Sequence, residues 1–261
     1  MQPAVLTIAG FDPSAAAGVI ADLKTFAAFD MFGTAVITML TAQNTTGLHT
    51  LETLPEEFVG QQIESILSDF NICAVKVGVL GTGKIARILA EMLERDPIAN
   101  VVLDPVMRSS TGLELLDRRG IAVVRERLLP QVRVVTPNLA EAETLSGMER
   151  VRDVASMKEA ARRIHALGAR AVVVKGGHLP ARAIDVAYDG KRFMLFDATR
   201  MTATHPRGVG CAFSSAIAAQ LARGAALQAA VDTAKRYVSR AVLRAVRIGR
   251  GRSHLDLLAP A

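Results

Sequence analysis

Short apolar runs alternate with longer amphipathic stretches along nearly the whole chain. The runs are apolar throughout rather than at every second position, which is typical of parallel strands covered on both faces. This alternation predicts a single α/β domain over residues 1–261, doubly wound, with a mostly parallel central sheet flanked by helices. Ligands in such sheets bind beyond the carboxyl ends of the strands, so we expect the functional residues just after each strand.

Six apolar runs are predicted as strands of the sheet, and two more as a hairpin around Asp189-Gly190. The strands are Val5–Ala9, Ala35–Met39, Ala74–Val79, Val101–Val106, Val132–Thr136 and Ala171–Lys175, and the hairpin pairs Ile184–Tyr188 with Phe193–Phe196. The predicted helices are Gly18–Phe29, one opened by Pro55, Lys84–Arg95, Asp117–Leu128, one capped by Ser156, Cys211–Arg223 and Leu227–Val246.

The composition excludes several classes of protein. Only 21% of the 261 residues are charged and 50% are hydrophobic, which excludes a wholly disordered chain. The longest apolar runs fall short of the roughly 18 residues that a transmembrane helix requires, and the first residues lack the pattern of a secretory signal. Two cysteines, Cys73 and Cys211, cannot form a disulfide framework. We therefore expect a cytoplasmic protein that does not bind membranes, with Cys73 in the core.

The net charge of +6 is concentrated near the C-terminus, in a basic helix and tail of about residues 227–261. The seven basic residues between Lys235 and Arg252 account for more than all of it. Four of them recur at helical spacing: Arg236, Arg240, Arg244 and Arg247. A solvated helix face is the favoured interpretation, and an anion or nucleic-acid stripe is the alternative. Because only Tyr237 interleaves with these residues, nucleic acid is not an expected partner.

The segment Gly78–Ile85 nearly matches a phosphate-binding P-loop, since it follows a strand and opens a helix. Its last position is Ile85, which has no hydroxyl to offer a magnesium ion. We therefore interpret the segment as a glycine-rich turn that lines a pocket.

The strongest local signal is Gly208-Val209-Gly210-Cys211, which precedes a helix rich in small residues. Glycines let backbone N–H groups converge, and a helix N-terminus adds partial positive charge, so the turn suits a phosphate. Cys211 falls in the first turn, where its pKa is predicted to be lowered and its thiolate favoured as a base. The alternative is that Gly208 and Gly210 are packing glycines and Cys211 is a buried core cysteine.

Polar residues follow three other predicted strands. Asp104 and Glu141 are candidates for one magnesium site, held partly through waters. Asn138 and Glu141 also have the spacing of a helix capping box, and both roles can coexist. Lys175 is a candidate contact for a polyphosphate, while the nearby His178 is more simply a loop histidine without a role.

The first two predicted strands are also followed by polar groups. Asp22 lies on the helix after Gly10 and the first loop. Gln43 and Asn44 each carry a donor and an acceptor, which suits the edge of a heteroaromatic ring. A hydrogen-bonded turn is the alternative interpretation of these two amides.

Seven segments between about Val5 and Arg244 form a further pattern. They are Leu6-Thr7-Ile8-Ala9-Gly10, Ala21-Asp22-Leu23-Lys24-Thr25-Phe26, Leu40-Thr41-Ala42-Gln43-Asn44-Thr45, Asp104-Pro105-Val106-Met107, Thr136-Pro137-Asn138, Val174-Lys175-Gly176-Gly177-His178 and Gly208-Val209-Gly210-Cys211. In this order they resemble the hydroxymethylpyrimidine/phosphomethylpyrimidine kinases of thiamine biosynthesis, in the ribokinase superfamily. The resemblance implies a ribokinase-like fold, use of ATP and Mg²⁺, and phosphorylation of 4-amino-5-hydroxymethyl-2-methylpyrimidine and then of its monophosphate.

The resemblance also implies a role for individual residues. On the substrate side it implies Gln43 as the reader of the aminopyrimidine, together with Gly10, Asp22, Val79 and Val106. On the ATP side it implies Lys175, Asn138, Val209 and Lys235. Asp104 and Glu141 would organise Mg²⁺, Gly208 and Gly210 would form the anion hole with Lys175 beside them, and Cys211 would be the catalytic base. Members of the family commonly form dimers, so a homodimer is expected.

The chain departs from the family pattern at two loops. The usual Gly-Ser-Asp-Pro-Ser-Gly-Gly-Ala-Gly is here Gly10-Phe11-Asp12-Pro13-Ser14-Ala15-Ala16-Ala17-Gly18, and the alanines lose the freedom to hold a positive φ. The usual Thr-His-Gly-Thr-Gly-Cys-Thr is here Pro206-Arg207-Gly208-Val209-Gly210-Cys211-Ala212, so hydroxyls expected near the phosphates are missing. Val79 stands where the family commonly has Met. Two alternatives follow: a pyridoxal-type kinase, or a non-catalytic pyrimidine-binding or regulatory relative.

Overall fold

The computed structural model describes residues 4–109, 112–177, 183–198 and 206–258. Within these residues the centre of the fold is one nine-stranded sheet with the spatial order β3-β2-β1-β4-β5-β6-β7-β8-β9. The strands are β1 (Ala4–Phe11), β2 (Phe32–Gln43), β3 (Leu48–Thr53), β4 (Ile72–Val77), β5 (Val101–Leu103), β6 (Val134–Val135), β7 (Val172–Val174), β8 (Ala183–Tyr188) and β9 (Phe193–Ala198). The pairings from β2 through β1 and β4 to β7 are parallel, whereas β3, β8 and β9 pair antiparallel at the two edges.

Helices cover both faces of the sheet. They are α1 (Gly18–Ala28), α2 (Glu56–Leu67), α3 (Gly83–Arg95), α4 (Arg118–Val123), α5 (Leu139–Ser146), α6 (Val154–Ala166), α7 (Val209–Ala222) and α8 (Leu227–Leu243). A π-helical turn (Val124–Leu128) and a 3-10 turn (Leu129–Gln131) continue α4. Helices α1, α7 and α8 contribute to the core on one face, and α2, α3, α5 and α6 to the core on the other.

Neighbouring residues of the parallel strands point into different cores. In β1, Leu6 and Ile8 belong to one buried cluster, while Val5 belongs to the other. All three are at most 1% exposed, so neither face of β1 is open to solvent at these residues. This burial explains why the strands are apolar throughout, and the expected doubly wound α/β architecture is confirmed.

Several local predictions are confirmed and others are wrong. The hairpin of β8 and β9 turns at Asp189-Gly190 as predicted, with Gly190 at φ +86°. Helix α6 is capped by Asp153, which accepts from the Ser156 N–H, so the predicted cap Ser156 is instead the third helical residue. Cys73 was expected in the core but is half-buried, because it lies at the start of β4.

Strand β3 at one edge of the sheet and helix α8 near the C-terminus also differ from expectation. Strand β3 was not predicted, because its exposed residues give it no continuous apolar run. Helix α8 ends at Leu243 rather than Val246, so Arg247 is not part of a helical stripe. Arg236 pairs with Asp232 one turn away, at 3.2 Å, which fits a solvated helix face. No helix of the described residues combines the length and apolar character needed to span a bilayer.

Candidate active site

The polar residues that follow the parallel strands meet at one edge of the sheet. Strand β1 lies between β2 and β4, so the chain reverses its direction of progress across the sheet at this point. A crevice at the carboxyl ends of the strands is expected where the order reverses, and the N-terminus of α7 opens beside it. The candidate active site is built there from side chains that are distant in sequence.

Asp104 and Lys175 form the central ion pair of the site. Asp104 follows β5 and is buried, and its Oδ1 lies 2.6 Å from Lys175 Nζ, one residue beyond β7. Thr136, after β6, donates weakly to the same oxygen at 3.4 Å. A Cβ built on Gly210 would lie 3.3 Å from both Asp104 Oδ2 and Lys175 Nζ, so the first turn of α7 faces this pair. The predicted grouping of Asp104, Lys175 and Gly210 is therefore present.

Glu141 is a buried carboxyl beside the ion pair. Its Oε2 accepts from the Asn138 N–H at 2.8 Å, and the Asn138 side chain accepts from the Glu141 N–H at 2.9 Å. The predicted capping box of α5 is thus confirmed. Burial raises the pKa of the Glu141 carboxyl to about 7, with Lys175 opposing the shift and Asp104 adding to it. A cation placed beside this carboxyl would favour the ionised form of Glu141.

The turn before α7 has the backbone conformation that an anion cradle needs. Gly208 is the N-cap of α7 and has φ +82°, in the left-handed region. A Cβ at this position would lie only 1.9 Å from the carbonyl oxygen of Ala16 in the first loop, so only glycine fits. The N–H groups of the first helical turn have no helical carbonyl to bond, and this leaves them free for an anion.

Cys211 lies in the first turn of α7, but its acidity is not what the sequence predicted. Burial raises the pKa of the Cys211 thiol, and the nearby Asp22 and Asp104 add to the effect. The Lys76 ammonium acts in the opposite direction and does not outweigh burial. The prediction of a lowered pKa is therefore wrong, because the helix N-terminus competes here with desolvation.

Beneath the turn of residues 208–211, called the cradle below, lies a fully buried ion pair that was not predicted from the sequence. Lys76 Nζ lies 2.7 Å from Asp22 Oδ2, and neither side chain is exposed. Thr7 and Ser215 donate to the two oxygens of Asp22 at 2.6 and 2.8 Å. Burial is the largest single effect and lowers the pKa of Lys76, but the negative groups around it, Asp22 first and then Cys211 and Asp104, together outweigh burial and the pKa is raised. The signal in the sequence that could have indicated this pair is Lys76 itself, a lysine within an otherwise apolar strand.

These bonds change the interpretation of Asp22. It was expected among the substrate-binding residues, yet it is 0% exposed and both its oxygens accept hydrogen bonds from the chain itself. Asp22 therefore joins β1, β4, α1 and α7 beneath the site rather than facing the crevice.

The apolar side of the crevice lies at the ends of β1 and β2. A Cβ on Gly10 would meet Met39 at 2.8 Å and Val79 at 2.9 Å, so Gly10 and Val79 lie together as expected. The Val79 carbonyl accepts from Thr38 Oγ1 at 2.7 Å, which fixes the turn after β4. Val106 follows Asp104, with its N–H bonded to the Asp104 carbonyl at 2.8 Å.

Gln43 and Asn44, at the end of β2, have different environments. The Asn44 side chain accepts from Thr46 and Gly47, which is the turn that the alternative interpretation predicted for both amides. Gln43 is half-buried and accepts a hydrogen bond from Arg207. Gln43 is thus the amide of the two that can read a ligand.

The altered first loop folds by accepting strain at one alanine. Ala15 has φ +57°, a left-handed conformation that costs a residue with a Cβ about 1–2 kcal/mol. The expectation that alanine would prevent a positive φ here is wrong at this position. Asp12 holds the loop, since its Oδ1 accepts from both the N–H and the hydroxyl of Ser14, at 2.9 and 2.7 Å.

The remaining predicted residues lie at the borders of the site. Lys235 on α8 bonds Asp185 at 2.7 Å and the Ala183 carbonyl at 2.8 Å, and Asp185 also accepts from the Gly176 N–H after Lys175. Val209 is 37% exposed at the start of α7. Lys84, in the near-match to a P-loop, pairs with Glu56 on the exposed surface, which agrees with the rejection of that motif. His178 lies outside the described residues.

Comparisons with known proteins agree with this geometry. The family model for phosphomethylpyrimidine kinase matches residues 12–256. A hydroxymethylpyrimidine/phosphomethylpyrimidine kinase of Aquifex aeolicus is 40% identical over 252 residues, covering 96% of this chain and 98% of the relative.

Solved structures show the same fold. A phosphomethylpyrimidine kinase from Clostridium difficile superposes with a TM-score of 0.82 at 36% identity, covering 92% of this chain and 100% of that one. The pyridoxal kinase of Staphylococcus aureus, in complex with AMP-PCP and pyridoxal, superposes with a TM-score of 0.91 at 34% identity, covering 99% of this chain and 94% of that one. On the strength of its family match, its relatives and its site, the chain belongs to the phosphomethylpyrimidine kinase family of phosphotransferases.

Proposed function

We propose that the protein is an ATP-dependent kinase that phosphorylates the hydroxymethyl group of 4-amino-5-hydroxymethyl-2-methylpyrimidine, and then the resulting monophosphate, in thiamine biosynthesis. One observation carries the proposal. Asp104 and Lys175 pair at 2.6 Å beside the N-terminus of α7, and a Cβ on Gly210 would lie 3.3 Å from both side chains. A cation, a carboxylate and free helix N–H groups at one point suit the transfer of a phosphoryl group.

The pyrimidine is proposed to bind on the apolar side of the crevice. Gly10 leaves room because any side chain there would collide with Met39 and Val79. Val79 and Val106 would contact the faces of the ring, and Gln43 would read its polar edge. The hydroxymethyl group would then point towards Cys211 and the cradle.

The phosphates are proposed to bind on the polar side. Lys175 would neutralise them as a point charge, while the N–H groups from Gly208 to Cys211 would hold the group in transfer. Asn138, Val209 and Lys235 are proposed as the outer border of the ATP site. Lys235 would act there mainly by holding Asp185, which accepts from the Gly176 N–H directly after Lys175.

The donor set fits a magnesium ion. Mg²⁺ prefers oxygen ligands and is usually held by one or two carboxylates together with waters and substrate phosphates. Asp104 and Glu141 supply two buried carboxyls that lie near enough for the charge of Asp104 to raise the pKa of Glu141. When bound, the ion would draw negative charge from the phosphates during transfer.

Cys211 is proposed to take the proton from the hydroxymethyl oxygen as that oxygen forms its bond to the γ-phosphorus. The bond between the γ-phosphorus and the leaving oxygen of ADP breaks in the same transfer, so the balance of atoms and charge is kept. Because burial raises the pKa of Cys211, only a small fraction of the enzyme carries a thiolate near neutral pH. The rate should therefore rise with pH.

Incubation of the purified protein with Mg-ATP and the pyrimidine tests the proposal, and we expect both the monophosphate and the diphosphate as products. The Cys211→Ala variant is the matched control. A wild-type rate no higher than that of the variant would refute the assignment.

A pyridoxal-type kinase is the second candidate, because the Staphylococcus aureus pyridoxal kinase superposes over 99% of this chain. A panel with pyridoxal and the pyrimidine at equal concentration separates the two, and we expect the higher kcat/KM for the pyrimidine. Calorimetry that shows pyrimidine binding without ATP binding would instead favour a non-catalytic relative.

We further propose that residues 1–261 form one kinase domain that acts in the cytoplasm as a homodimer. Neither a membrane nor a nucleic acid is part of the proposal. Arg236 of α8 pairs with Asp232 on its own helix, which fits a solvated surface.

A further inference from the structure

Arg207, which immediately precedes the cradle, joins three loops around the site. Its Nη1 donates to the Asn44 carbonyl at 2.8 Å, and its Nη2 donates to Gln43 Oε1. The same Nη2 lies 3.3 Å from Asp12 Oδ2, a buried oxygen that accepts no hydrogen bond from the described residues. The side chain of Arg207 is only 13% exposed, so its guanidinium belongs to the interior of the site.

These contacts determine which way the Gln43 amide faces. A guanidinium has only donors, so the group of Gln43 that meets it must be the carbonyl oxygen. The other end, Nε2, makes no hydrogen bond to any described residue. Reversing the amide would exchange a charge-assisted hydrogen bond for two donors facing each other. The Gln43 amide is therefore held in one orientation, with its N–H groups free for a ligand.

The guanidinium itself has little freedom to move. Asp12 Oδ2 and the Asn44 carbonyl hold it on two sides. The Arg207 N–H donates to the Ser253 carbonyl at 3.3 Å, which fixes the backbone at the same residue. A ligand could not easily turn the amide by displacing the arginine, because doing so would leave the buried Asp12 oxygen unpaired.

A fixed amide distinguishes two kinds of ring edge. In a 4-aminopyrimidine an acceptor ring nitrogen lies beside a donor amine, whereas in the corresponding 4-oxo compound a ring N–H donor lies beside an acceptor oxygen. The free N–H of Gln43 matches the ring acceptor of the first, and the second lone pair of Oε1 can accept from its amine. Against the 4-oxo compound both positions are mismatched.

We propose that Arg207 is a specificity-determining residue, which fixes the donor and acceptor order of Gln43 so that the site accepts a 4-aminopyrimidine edge and rejects the inverted edge of a 4-oxo pyrimidine. The inference rests on the proposed function, because it assigns Gln43 to the pyrimidine. It adds a device that the resemblance does not contain, since the family has histidine where this chain has Arg207.

The test compares kcat/KM for 4-amino-5-hydroxymethyl-2-methylpyrimidine with kcat/KM for its 4-oxo counterpart. We expect the wild type to favour the amino compound by at least about 100-fold, in the range of sites that recognise a substrate by hydrogen bonds. In Arg207→Met and Arg207→Gln the amide can reverse, so the ratio should fall by about tenfold or more. Both rates come from one preparation, so the ratio does not depend on the fraction of folded enzyme.

Arg133→Met is the matched control. Arg133 also donates to a side-chain amide oxygen, that of Asn100, but it lies before β6 at the opposite end of the sheet. Its removal should leave the substrate ratio unchanged.

The outcomes separate the inference from the proposed function. If the wild type phosphorylates the amino compound and both Arg207 variants slow the two substrates in equal proportion, Arg207 is merely structural and the inference is overturned. If the wild type phosphorylates neither pyrimidine, the proposed function fails and takes the inference with it.

Discussion

Replacing Lys76 should destabilise the protein more than most single substitutions. Lys76 and Asp22 pair at 2.7 Å with neither side chain exposed. A Lys76→Met substitution keeps an unbranched side chain that is only one atom shorter, but it leaves the buried Asp22 carboxylate without its counter-charge. Removing one partner of a buried pair costs about 3–5 kcal/mol, a large part of the roughly 5–15 kcal/mol that holds a domain folded.

A second substitution should recover much of this loss. In the double variant Lys76→Met/Asp22→Asn no buried charge remains. The amide oxygen introduced by Asp22→Asn can still accept a hydroxyl from Thr7 or Ser215, which now bond the two Asp22 oxygens. What is lost is one or two hydrogen bonds, about 1–2 kcal/mol in total. The double variant should therefore be more stable than Lys76→Met by about 2–3 kcal/mol.

Urea unfolding followed by circular dichroism measures these differences as shifts of the midpoint at constant m-value. Lys84→Met is the control, because Lys84 also pairs with a carboxylate, Glu56, but is 67% exposed. Its loss should shift the urea midpoint far less than the loss of Lys76, because solvent screens an exposed ion pair. The reasoning is refuted if Lys76→Met costs no more than Lys84→Met, or if the double variant is less stable than Lys76→Met.

Three further predictions concern the site and its loops. The pKa of Glu141 is about 7 in the folded chain against an ordinary 4.5, so the folded state binds more protons between these pH values. The free energy of unfolding should therefore fall by about 3 kcal/mol as the pH rises from 4.5 to 7. Thermal unfolding of Glu141→Gln, compared with the wild type across this range, should lack that loss. Ala15→Gly should stabilise the protein by about 1 kcal/mol by relieving the positive φ. Ala16→Gly, at a residue whose φ is not positive and whose methyl group is buried, should give no gain in the same melts. Single-turnover rates of the wild type should rise with pH towards and beyond 9 as the Cys211 thiolate forms. The Cys211→Ser substitution should lower kcat by about 100-fold or more. A wild-type rate that does not depend on pH would contradict a base role for this thiol.

The parallel part of the fold was predictable because strands that are buried on both faces are continuous apolar runs in the sequence. Strands β1, β4 and β5 each lie within or close to a predicted apolar run. The capping box of Asn138 and Glu141 was predictable for a different reason, because it depends only on two residues three positions apart. Features that depend on local spacing could be read directly.

The features that were missed depend on contacts between distant residues. Lys76 and Asp22 are 54 positions apart, and Arg207 and Gln43 are 164 apart, so no spacing rule connects either pair. The acidity of Cys211 could not be read from its place in a helix either. The helix N-terminus was visible in the sequence, but the burial that raises the pKa of the thiol was not.

This chain has Val209 and Ala212 where the family pattern has threonine hydroxyls, and the two replacements affect phosphate binding differently. Ala212 is 0% exposed within the packed part of α7, and its N–H is bonded to the Gly208 carbonyl at 2.9 Å. A hydroxyl at that position would point into the core or bond the helix backbone, as Ser214 does to the Gly210 carbonyl. Val209 is instead 37% exposed, so of the two it is the position from which a hydroxyl could reach a phosphate bound at the proposed site. The cradle therefore loses at most one side-chain donor, and its remaining donors are backbone N–H groups that no substitution at these positions removes.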